Sequence, residues 1–135
     1  MPEQTRSYTS DVTVRGDFET VRDRTIEALA DEGFGIMWEV DAQAVFAEKL
    51  DEPFRQYRIL GACAPDLAYD ALGVEDRLGA LLPCNVVVQE TDDGVGVHIV
   101  DAHALIGLVD NPDLDPIVDE VGARLDRVRD VIAAA

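Results

Sequence analysis

Two short stretches of the chain are apolar without alternation. Residues 58–62 read RILGA and residues 86–88 read VVV, with further apolar residues beside each. A strand with one face in water alternates polar and apolar side chains, whereas a strand covered on both faces need not. A sheet built on these runs needs two covers. Helices are expected to supply one and a second copy of the chain the other, so the expected assembly is a homodimer.

The remaining segments fall around these strands. SYTSDVTV (7–14) alternates and reads as a first strand. Asp17 then N-caps a helix carried by Phe18, Val21, Thr25, Ala28 and Leu29, and Gly33 closes it. Gly35 to Val40 reads as strand two. Asp41 caps a short helix, Ala42 to Leu50, amphipathic through Val45, Phe46 and Leu50, and Pro53 ends it. Arg55 to Ala62 is strand three, and Pro65 starts a helix where its missing N–H costs nothing. Gly73 and Gly79 bracket a turn. Asn85 to Glu90 is strand four, Thr91-Asp92-Asp93-Gly94 is a hairpin turn with Asp-Gly at its end, and Val95 to Val100 is strand five. One or two helical turns follow in 102–109. Leu114, Ile117, Val118, Val121, Leu125, Val128 and Ile132 then mark a long amphipathic helix, with Arg124, Arg127 and Arg129 where cations suit its dipole. The order βαβαβαββα predicts an α+β sandwich: one domain over 1–135, a five-stranded sheet with antiparallel pairing, and helices mainly on one face.

Charge sets the solvent. The chain carries 28 acids against 11 bases, a net −17, and Lys49 is its single lysine. The acids are scattered rather than gathered in a tail. Such a surface repels itself in dilute salt and is screened at about 1 M, where the Debye length is roughly 3 Å. This is the pattern of a protein adapted to molar intracellular salt, as in halophilic archaea. It excludes nucleic acid and anionic membrane surfaces as partners. MPEQTRSYTS lacks the charged and apolar regions of a leader, and no apolar run approaches a membrane span, so a cytoplasmic location is expected.

Five blocks taken together carry a resemblance: GFGI (33–36), VDAQAVFAEKL (40–50), YRILGACAP (57–65), LLPCNVVV (81–88) and the VD…GLVDNP stretch of 100–112. In order and spacing they resemble the DUF302 family across nearly the whole chain. The resemblance implies a small, single-domain, dimeric α+β protein and names no reaction. Cys63, Cys84 and Asn85 match the family's two turn motifs. Ala64 departs from the usual polar residue there, and His98 and His103 have no counterpart in the pattern.

The candidate chemistry centres on Cys63 and Cys84, the only cysteines. Placed on adjacent strands, both thiols come near strand ends, and Cys63 precedes a helix start, which favours a thiolate. Gly61 permits a close approach by ligand or backbone. Packing, a functional thiolate and a disulfide all remain open, with a reducing cytosol favouring free thiols. Cys63, Cys84, His98 and His103 lack the spacing of a local metal site, so no metal is expected. Arg55 and Arg58, which flank Tyr57, are candidates for holding an anionic ligand, with pairing to acids such as Asp51 and Glu52 as the alternative. Phe34, Met37 and Trp38 form an aromatic, soft patch for core, pocket or seam. No phosphate loop and no nucleophile elbow is present, and no cofactor is indicated. The expected function is a homodimeric module binding a small ligand or a partner protein, with Cys63, Cys84, Asn85, Arg58 and Tyr57 near the site. The alternatives are a thiolate-dependent enzyme or sulfur carrier, and a purely structural interaction module.

Overall fold

The structure, a computed structural model, describes residues 7–134. Residues 1–6, on which the expectation of no leader partly rests, lie outside the described residues. Five strands, β1 (Thr9–Val14), β2 (Gly35–Asp41), β3 (Tyr57–Cys63), β4 (Cys84–Thr91) and β5 (Gly94–Val100), form one sheet in the order β1-β5-β4-β3-β2. Every neighbouring pair is antiparallel. The helices are α1 (Phe18–Asp31), α2 (Ala42–Leu50), α3 (Pro65–Val74), α4 (Ala102–Ile106) and α5 (Asp115–Ala134). The expected α+β sheet with helices mainly on one face is what forms.

Local chemistry explains the helix ends. The Asp17 carboxylate accepts from Thr20 N, Asp41 from Ala44 N, and Asp101 from Ala104 N. Gly33, at φ +87°, lets its own N–H reach Ala30 O and Phe34 N reach Leu29 O, a Schellman closure of α1.

The register assigns each side chain to a face. Leu60 and Ala62 of β3, Cys84, Val86 and Val88 of β4, and Val95, Val97 and Ile99 of β5 are buried on one side. Against them pack Phe18, Val21, Ala28 and Leu29 of α1 and Val118, Leu125, Val128 and Ile132 of α5. Burying the valine, leucine, isoleucine and phenylalanine side chains among these supplies roughly 1.5–3 kcal/mol apiece against the extended chain. The apolar period read along 114–132 is thus the core stripe of α5, except that Leu114 belongs to a 3₁₀ turn (Pro112–Leu114) ahead of the helix.

Three local expectations need correction. Ser7 and Tyr8 precede β1, and Arg55 and Gln56 precede β3. Gly73 sits in the last turn of α3, and Gly79 lies in a 3₁₀ helix, Asp76–Leu81, rather than bracketing an open turn. Burial of Leu78 draws that segment down onto the core. The hairpin loop between β4 and β5 is Asp92-Asp93. Thr91 and Gly94 pair as the two ends of that turn, as the sequence suggests, and a Cβ at Gly94 would collide with Val14 O. Arg124 and Arg127 do not simply face the end of α5: they reach Asp66 and Glu120, and Glu32, tying α5 to α3 and α1.

Candidate functional site

β3 and β4 bring Cys63 and Cys84 together. Ala62 pairs with Cys84, so Cys63 stands one residue beyond that pair, where β3 ends and turns into α3. Both cysteines are free and both line one cavity of about 50 Å³ on the helix side of the sheet. Phe34 just after α1, Leu67 from α3, Leu78 from the 3₁₀ helix, Leu82 and Pro83 before β4, and Val121 of α5 also line it. No charged side chain lines it.

Burial governs the thiols. Cys84 is buried, and desolvation, with Cys63 beside it, pushes its pKa up to about 11. Cys63 is half-buried, and its pKa is raised first by burial and then by the Asp66 carboxylate in the first turn of α3. This reverses the expected effect of the helix start. Ala64 offers no side-chain cap, and Asp66 places a negative charge where the helix end would otherwise favour a thiolate. Both cysteines are therefore neutral thiols near neutral pH, apt for apolar or soft contacts and poor as nucleophiles.

The other sequence candidates lie elsewhere. Asn85 is exposed on the opposite face of the sheet, opposite Gly61. There it borders an open groove with Trp38, Leu81, Val100 and Leu105. Tyr57 and Arg58 are at the far end of β3, roughly 20 Å from Cys63 along the strand. Tyr57 packs near Phe54, which meets Phe46 edge-on at 5.0 Å. Arg58 is occupied by carboxylates, though by Glu39 (2.8 Å), Glu19 (3.0 Å) and Asp41 (3.4 Å), not Asp51 or Glu52. Glu39 also accepts from Arg22. The aromatic patch of β2 is divided: Phe34 walls the cavity, Met37 projects from a bulge, and Trp38 lies on Gly61 on the open face.

That open face carries the second notable surface. Its side chains are Thr9, Asp11 and Thr13 of β1, His98 and Val100 of β5, Asn85, Val87 and Gln89 of β4, Tyr57 and Ile59 of β3, and Trp38 and Val40 of β2. Asp11 is the one carboxylate among them, and His98 Nδ1 engages it at 2.8 Å. Gln89 meets His98 Nε2 at 2.9 Å and accepts from Arg55 Nε at 2.8 Å, making a polar row across three strands. Sequence reasoning did not reach this row, because its members lie in three separate segments and none has a distinctive spacing. On α2, Val45 and Leu50 are exposed, while Ala42 is buried and Phe46 packs on Phe54.

Among the described residues, no group of three or more His, Cys, Asp or Glu side chains is placed to hold a metal ion, and no helix is long and apolar enough to cross a membrane.

The family model described as "Domain of unknown function DUF302" matches residues 10–132. The fold is similar to a crystal structure of an uncharacterized conserved DUF302 protein from Bacillus stearothermophilus. The TM-score is 0.87 at 25% sequence identity, over 94% of this chain and 99% of that one. No curated protein matches the chain.

Proposed function

The chain belongs to the DUF302 family, and we propose that it is a homodimeric, single-domain binding module that takes a small ligand in the thiol-lined cavity. The observation that carries this reading is the meeting of Cys63 and Cys84, from separate strands, on one uncharged cavity. Ligand sites are concave and mostly apolar, with few polar groups. The thiolate-enzyme alternative needs a lowered thiol pKa, and burial moves both cysteines the other way. The test is mass spectrometry of small molecules released when protein purified in molar KCl is denatured. Wild type should release a bound compound that the Cys63→Ser/Cys84→Ser chain holds poorly. Release of nothing, or of equal amounts from both, counts against the cavity as a site.

The homodimer rests on a different observation. In a chain of net −17, two copies approach favourably only through a surface poor in carboxylate, and the open sheet face carries Asp11 alone. Its apolar side chains, Trp38, Val40, Ile59, Val87 and Val100, suit a partner sheet. Sedimentation in molar KCl should find twice 14.7 kDa, and Val87→Asp should halve it without unfolding the chain. A single 14.7 kDa species in the wild type removes the dimer. The same charge supports a salt-rich cytoplasm of the halophilic archaeal kind as the protein's setting, and argues against nucleic acid as a partner.

A further inference from the structure

We infer that the cavity beside Cys63 and Cys84 accepts a small, uncharged apolar molecule, or the apolar end of a larger one, and rejects anions and cations alike. This rests on the reading of the cavity as a ligand site and names the ligand's chemical class.

Three observations converge. The first is the lining. Apart from the two sulfurs, the side chains that enclose the space are aliphatic or aromatic, in a chain where about every fifth residue is acidic. No side chain there pairs with a charge, so a charged guest would surrender its hydration without compensation. The second is the state of the sulfurs. Both are held as thiols, which leaves two soft, polarizable, weakly polar walls suited to dispersion contacts. The third is size. About 50 Å³ exceeds the roughly 10–15 Å³ that one water needs and falls short of the roughly 150 Å³ of a cavity that takes benzene. An apolar lining offers water few hydrogen-bond partners, so a guest displaces only weakly held water.

The route in is also apolar. Leu67, Leu82, Ile117 and Val121, on α3, before β4 and on α5, line the cavity and are each only partly buried. Asp66 and Arg124 sit outside that rim, paired with each other at 3.1 Å, and neither lines the cavity.

The test uses the full chain in molar KCl with xenon as the neutral probe and propionate as the charged one. Xenon under pressure should give a saturable ¹²⁹Xe shift in NMR. In the Cys84→Ala chain it should slow methyl methanethiolsulfonate labelling of Cys63 about threefold once roughly two thirds of the cavities are occupied, and further as they fill, as mass action requires. Propionate should leave the rate unchanged. Filling the cavity by Ala68→Leu should abolish the xenon effect, and if that variant does not fold, the probe competition decides alone. Protection by propionate equal to that by xenon overturns the uncharged class while leaving a ligand cavity in place. A folded chain that gives neither xenon shift nor protection by either probe overturns both the class and the cavity as a site.

Discussion

The indole of Trp38 lies directly across the backbone of Gly61. A Cβ added at position 61 would stand 2.5 Å from Trp38 Cε2 and 2.7 Å from Cδ2. The close approach is possible because Gly61 is the residue opposite Trp38 in the β2–β3 register. Gly61→Ala should therefore lift the indole from the sheet and cost ~1–3 kcal/mol. Denaturant unfolding in molar KCl reads the loss, and the emission of the single tryptophan should shift to the red. In a Trp38→Leu background the same substitution should cost much less. An equal cost in both backgrounds would show that the contact is not the cause.

Glu39 is the hub of an ion-pair network on the helix side of the sheet edge. Hydrogen bonds from Arg22 first, and then from Arg58, hold its carboxyl below the ordinary glutamate value of 4.5. A carboxylate with a lowered folded pKa adds stability above its unfolded pKa and loses it as pH falls through the folded one. Glu39→Gln should thus destabilise by ~1 kcal/mol near neutral pH, a modest figure because the network is partly solvated. The gap between the two chains should narrow as pH drops below 4.5. Melting curves across that range check it, and a gap that widens in acid contradicts the assignment.

The thiols should be slow. Near neutral pH both cysteines should react with a chromogenic disulfide reagent more slowly than a free thiol, Cys84 slowest, with full reactivity appearing on unfolding. The raised pKa of Cys84 has the opposite linkage to that of Glu39. Its contribution is complete below 9.0 and is lost as pH rises toward about 11. Cys84→Ala should remove that part of the alkaline decline. A cysteine that labels faster than a free thiol in the native chain would contradict this prediction.

Salt should govern stability. With 28 acids and 11 bases, melting temperature should fall sharply below about 0.5 M KCl as screening weakens. An unchanged value between about 0.1 M and about 2 M would refute salt adaptation.

Much of the fold is legible locally, and the reasons are visible residue by residue. The period of α5 is readable because its core stripe faces one way, and α1 because Asp17 and Gly33 mark both its ends. The strand order is not readable, because nothing near Thr9–Val14 announces β5 as its partner. The 3₁₀ helix over 76–81 is hidden because its glycines suggest a turn, while a single buried side chain, Leu78, decides its path. At the candidate site, the nearness of Cys63 and Cys84 follows from treating β3 and β4 as neighbours. The direction of their pKa shifts does not, since a helix start argues one way while burial and Asp66 argue the other. Of the cavity walls, Phe34 reads in sequence as part of an aromatic patch suited to core, pocket or seam, while Leu67 and Val121 read as ordinary apolar residues with nothing to mark them as lining.

The order β1-β5-β4-β3-β2 has a consequence for synthesis on the ribosome. β1 is made first, but its only strand partner in the sheet is β5, so it waits for residues 94–100 to emerge before it can pair. The adjoining pairs β2–β3, β3–β4 and β4–β5 can zip together one after another as they appear, each joining segments close in sequence. The growing chain therefore completes its sheet by recruiting its oldest strand last. Until then the β5 edge stands open, a period in which a nascent chain is exposed to pairing with its neighbours.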